Sequence, residues 1–162
     1  MIADARLTLD FGGGGKPLDD RIREFTCGAG RVRLWSPQAY VGYAVYSGVI
    51  KPECFLELRS HAVEFLAEAR LAIFDYSRAV LALQDVLPAA RPSAACHNPA
   101  AVVVRPEHYA MAKIYSDKMA ELGIMRRVFF PWETERVRRF VATLTGTQAH
   151  EERLQFERMP AI

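Results

Sequence analysis

The residues in this sequence with the most chemical promise are aromatic and basic. Tyr76-Ser77, Arg105 and the run Phe130 to Trp132 each follow a short apolar segment of the kind that forms a buried strand. If those segments are parallel strands, their carboxyl ends lie together, and ligands of α/β sheets bind there. Tyr76 and Trp132 would suit an apolar or amphipathic ligand, with Arg105 holding an anionic end. The competing reading makes most of these rings ordinary core. A second constellation is electrostatic: Arg126, Arg127, Arg136, Arg138 and Arg139 gather positive charge near the last apolar run, and Arg136 and Arg139 are its best candidates for an anionic partner. Glu133 and Glu135 stand among them, so a solvated, ion-paired face is the alternative.

Other combinations lack the spacing their chemistry needs. Gly12 to Gly15 followed by Lys16 has the glycines of a phosphate loop, but Pro17 stands where that loop needs Ser or Thr, so the run reads as a flexible joint. Cys96-His97 are neighbours in a proline-rich stretch with no orienting carboxylate, a poor nucleophile and base pair. Cys54 and His61 share a helix face, but seven residues rise roughly 10 Å, too far for one metal ion to bridge. The four histidines show no metal-binding spacing, and the pairs Asp19-Asp20 and Glu151-Glu152 fall in flanking segments. Neither a metal nor a cofactor is expected, and no catalytic set can be assembled.

The elements that must position these residues follow from patterning. With 162 residues, 51% hydrophobic, the chain suits a single domain with a substantial core. Its 21 basic and 19 acidic residues leave a net charge of +2, which argues against nucleic acid as a partner. Cys27, Cys54 and Cys96 are odd in number and widely spaced, so no disulfide framework is expected and a cytoplasmic location fits. No signal-like segment or bilayer-length apolar run is present, which predicts no membrane insertion.

Residues 1–27 read as an arm with a glycine-rich joint, 28–145 as the folded domain, and 146–162 as a tail. Arg31 to Trp35 and Tyr40 to Tyr46 alternate like an antiparallel pair. A helix from about Lys51 to Glu68 carries Phe55, Leu58, Ala62, Phe65 and Ala69 on one stripe. Leu71 to Asp75, Ala100 to Val104 and Arg127 to Phe130 read as buried strands. Helices are expected from about Arg78 to Leu87 with Ser77 as cap, from Pro106 to a terminating Gly123, and from Thr134 to Leu144. The alternation predicts an α/β domain: a mixed, mostly parallel sheet of about five strands with helices packed on it.

Three strings within that pattern, Tyr43-Ala-Val-Tyr-Ser-Gly48, Leu71-Ala-Ile-Phe-Asp-Tyr-Ser77 and Met125-Arg-Arg-Val-Phe-Phe-Pro-Trp-Glu133, resemble the STAS family of anti-sigma-factor antagonists and transporter domains. The resemblance covers about Arg31 to Leu144. It implies a phosphorylatable serine in an Asp-Ser-Ser-Gly run at the second helix, but Leu83-Gln-Asp-Val86 stands there, so the family's switch does not carry over. Ser77, at the expected helix start, is the substitute candidate for phosphorylation, against its plainer reading as a cap. The expected function is a non-enzymatic regulatory or protein-interaction module, binding another protein or its own copy. The alternative is a carrier or sensor of a small apolar or anionic ligand held at the strand ends by Tyr76, Ser77, Arg105 and Trp132.

Overall fold

The structure, a computed structural model, describes residues 19–38, 41–67, 69–82 and 98–145. The glycine joint with Lys16, Cys96-His97, His150, Glu151-Glu152 and most of the expected second helix lie outside these residues, as do the side chains of Asp19 and Asp20. Among the described residues six strands form one sheet: β1 (Asp19–Cys27), β2 (Gly30–Gln38), β3 (Val41–Ile50), β4 (Leu71–Leu81), β5 (Ala100–Val103) and β6 (Arg126–Phe129). They stand side by side in chain order. β1, β2 and β3 pair antiparallel, and β3 to β6 run parallel. The chain is therefore α/β with a mixed sheet, and its sixth strand, β1, comes from residues expected to belong to the arm. Arg23 and Phe25 alternate with Glu24 and Thr26 there, and the turn Gly28-Ala29 returns the chain into β2, with Gly28 at φ +56.

Helix α1 (Pro52–Leu66) crosses from β3 to β4 and α2 (Tyr109–Glu121) from β5 to β6. Both cover the same face of the sheet. Phe55, Leu58, Ala62 and Leu66 of α1 and Ala112 of α2 pack with Val32, Leu34, Tyr46, Phe74, Tyr76 and Val102. Gly42 lets α1 lie close on β3, because any Cβ there would run into the Leu66 side chain. Helix α3 (Thr134–Thr145) lies on the opposite face, where Val137, Phe140 and Val141 meet Tyr43, Leu71, Ile73, Val103 and Phe129. No described helix is long and apolar enough to cross a membrane.

Two expected helices differ from what forms. The helix expected from Pro106 opens with a 3-10 turn, Pro106–His108, and α2 itself starts at Tyr109, with Ala112, Ser116 and Met119 as its buried residues. Gly123 ends α2 as expected: its N–H donates to Ala120 and that of Ile124 to Met119, with φ +75 at the glycine. The larger correction is at residues 78–81, which continue β4 instead of opening a helix. β3 is ten residues long and offers a free ladder, so Ser47, Gly48, Val49 and Ile50 pair with Arg78, Ala79, Val80 and Leu81. Tertiary pairing thus overrides the local capping signal of Ser77. A register shift between Val45 and Ser47 absorbs one extra residue of β4 at Tyr76-Ser77.

The end of β4 runs past β5, and its Leu81 N–H donates to His108 Nε2 at 3.2 Å. Only the neutral imidazole can accept there. Burial holds His108 below its ordinary value of 6.5, with Glu107 opposing and Arg105 reinforcing the shift. A depressed value means the contact contributes fully above 6.5 and is lost as pH falls through the folded value. Amide exchange at Leu81, corrected for its intrinsic pH dependence, should therefore keep its protection above pH 6.5 and lose it as pH falls below that value. His108→Gln, which does not titrate, should flatten that dependence; equal behaviour of both proteins would refute the assignment.

Candidate anion-binding groove

Strand alternation and helical spacing sort the five clustered arginines. In β6, Arg126 points to the α1 and α2 side and is buried. It donates to the carbonyls of Asn98 and Met125, lies 3.4 Å from Tyr115 Oη, and stands 5.8 Å from the Phe74 ring centre. Its neighbour Arg127 takes the other side, with its guanidinium 5.9 Å from the Phe140 ring centre. On α3, Arg138 is 1% exposed and reaches Glu135 at 3.5 Å. Arg136 and Arg139, three residues apart, share the solvent side of the helix.

Arg127, Arg136 and Arg139 thereby line one groove of about 330 Å³ between β6 and α3. Phe129, Phe140 and Leu144 make its apolar floor, with Met125 and Thr143 at its sides. Arg136 is paired with Glu133, and Arg139 lies 3.7 Å from Glu135. Both pairs are solvent-facing at the arginine, so each is worth at most about 1 kcal/mol and can be exchanged for another carboxylate. β6 is the last strand of the sheet, and its outer edge pairs with no described strand. Glu133 also accepts from the Phe130 N–H at 2.9 Å, which ties the groove to the loop carrying Trp132. In that loop Trp132 stacks on Phe130, and Phe130 on Tyr109, each at 4.8 Å between ring centres.

Tyr76, Ser77, Arg105 and Trp132, expected together at the strand ends, each have partners of their own. Tyr76 is buried on the α1 side, stacked on Tyr46 at 4.4 Å. Burial, reinforced by Tyr46 and Tyr115, pushes its hydroxyl far above the usual tyrosine range. Arg105 pairs with Glu107 at 2.7 Å, and Trp132 is 66% exposed. Among the described residues no hydrogen bond, ion pair or ring contact joins Tyr76 or Ser77 to Arg105 or Trp132. Ser77 lies inside β4, half-buried, so the helix start that would receive a phosphate is not there. Its N–H instead donates to Asp75 Oδ1 at 2.7 Å.

Two features escaped the sequence reading. Asp75 is a carboxylate at 0% exposure whose Oδ2 has no hydrogen-bond partner among the described residues. The other is a disulfide joining Cys27 at the end of β1 to Cys54 in the first turn of α1, with Cα atoms 5.4 Å apart. It corrects the expectation of unpaired cysteines. Sequence signals were weak in both cases: an aspartate ending an apolar run, and two cysteines separated by 27 positions. No cluster of three or more His, Cys, Asp or Glu suited to a metal occurs among the described residues. No protein-family model, curated protein or solved structure matches this chain.

Proposed function

We propose that this chain is a non-enzymatic, STAS-like regulatory or interaction module that holds an acidic, extended segment of a partner protein along β6. One observation carries the reading: three arginines converge over an aromatic floor beside a strand edge that pairs with no described strand. An extended peptide can add backbone hydrogen bonds to such an edge, while every second side chain enters the groove. Carboxylates would replace Glu133 and Glu135 at Arg136 and Arg139, and an apolar residue would cover Phe140. The parallel strands with helical crossovers, and a terminal helix directly after β6, support the STAS-like part of the proposal. The groove volume also falls within the range of small-ligand sites, which keeps a carrier of an anionic amphiphile as the second reading.

The test is fluorescence anisotropy with a labelled peptide alternating Glu and Leu, against one alternating Lys and Leu. The acidic peptide should bind, with affinity falling as salt rises. Arg127→Glu, Arg136→Glu and Arg139→Glu together should weaken it by about 10- to 100-fold, the sum of three reversed exposed contacts. Unchanged affinity in the triple variant would refute the groove. Native mass spectrometry separates the second reading: a small molecule lost on denaturation, and lost in the same variant, would put the carrier first.

A further inference from the structure

We propose that Cys27 and Cys54 form a reversible thiol–disulfide exchange site, in which Cys54 is the attacking sulfur and Glu57 takes the proton of Cys27. The two sulfurs are bonded across the junction of the β1–β2 hairpin and α1. Their surroundings are unlike. Cys54 occupies the first turn of α1, where Pro52 has no N–H and Lys51 provides no side-chain cap. Phe55 is the first residue whose N–H returns to the helix, at Lys51 O, so the amide end beside Cys54 remains available to a sulfur anion. Cys27 faces a carboxylate: Glu57 Oε2 lies 3.3 Å from its Sγ. A disulfide sulfur has no proton to donate, so this contact becomes a hydrogen bond only in the reduced protein. There it holds Cys27 ready to be deprotonated.

Both cysteines are half-buried, and Gly28, Ala29, Lys51, Pro52 and Glu53 around them are exposed, which leaves a path for a small thiol. Gly28 keeps the turn open over the bond, since even a Cβ there would sit at 3.6 Å from Cys54 Sγ. In the oxidising direction the Cys54 thiolate attacks a low-molecular-weight disulfide, whose S–S bond breaks. One thiolate leaves and takes up the proton that Cys54 released to solvent. Cys27 then gives its proton to Glu57 and attacks Cys54 Sγ, and the second small thiolate leaves with the proton that Glu57 returns. The balance is two protein thiols and one small disulfide converted to one protein disulfide and two small thiols. The reducing direction is the reverse.

The experiment uses the full chain with Cys96→Ser, so that the third thiol cannot report, in buffers of varied glutathione to glutathione-disulfide ratio. Thiols are trapped by alkylation and located by peptide mass, with circular dichroism recorded in parallel. The bond should open and close with the ratio while the fold persists. Cys27→Ser should accumulate glutathione on Cys54. Glu57→Gln, an exposed substitution, should slow closure by at least about tenfold and leave the spectrum unchanged. A bond that stays closed in the folded protein at every ratio, a mixed disulfide that gathers on Cys27 of Cys54→Ser but not on Cys54 of Cys27→Ser, or wild-type closure in Glu57→Gln would each overturn the proposal.

Discussion

Gly48→Ala should lower the stability of this protein by about 3 kcal/mol or more, a fall in Tm of roughly 6–12 °C for a domain of this size. Two costs add. Gly48 has φ +80, a left-handed conformation that costs a residue with a Cβ about 1–2 kcal/mol. The new Cβ would also come within 3.0 Å of the Ala29 carbonyl oxygen, a separation that real Cβ atoms do not show. That oxygen belongs to the backbone of the hairpin turn, which Cys27 and Cys54 tie to α1, so it cannot swing aside as a side chain would. Gly123→Ala is the matched control. It has a similar φ of +75 but open space around the Cβ, and should show only the conformational cost of about 1 kcal/mol. Thermal melts of both variants separate the terms, and equal losses would show that the close approach to Ala29 contributes nothing.

Asp75→Asn should stabilise the protein at neutral pH. Burial raises the Asp75 carboxyl above its ordinary 3.8, against the opposing effects of hydrogen bonds from Ser77 and the charge of Arg78. A raised folded value means that the native state holds the proton longer than the unfolded chain does. The associated stability is full below 3.8 and is lost as pH rises through the folded value. Asn keeps the acceptor for the Ser77 N–H and replaces a charge with a neutral amide of the same shape. The variant should match the parent at low pH and pull ahead as pH increases. At pH 7 the gain should be about 1 kcal/mol, or 2–4 °C in Tm, the lower end of the cost of an unsatisfied buried group. Parallel Tm curves for the two proteins across that pH range would refute the burial argument.

The elements that could be read from the chain are those whose signal is local. α1 and α3 have helical apolar stripes, Gly123 supplies the left-handed residue that ends α2, and the buried runs at Leu71 and Ala100 are strands because nothing but a sheet interior suits them. Residues 78–81 misled because a capping serine and good helix formers compete with a partner strand that only the folded molecule brings alongside. Arg136 and Arg139 were legible as a pair because i,i+3 spacing places them on one helix face. The other arginines were not, because a cluster along the chain says nothing about which side of β6 or α3 each one takes.

By itself the sequence determined the class of fold, the helix faces and the positive character of the last strand and helix, since these depend on residues within a few positions of one another. Tertiary structure decided the rest. It set the sheet order, placed α1 and α2 on one face and made Ser77 part of β4. It also split the arginines between core and groove, and brought Cys27 within bonding distance of Cys54. Each of these outcomes depends on contacts between distant segments, whose energy arises from packing and burial in the assembled sheet and is not encoded in any local pattern.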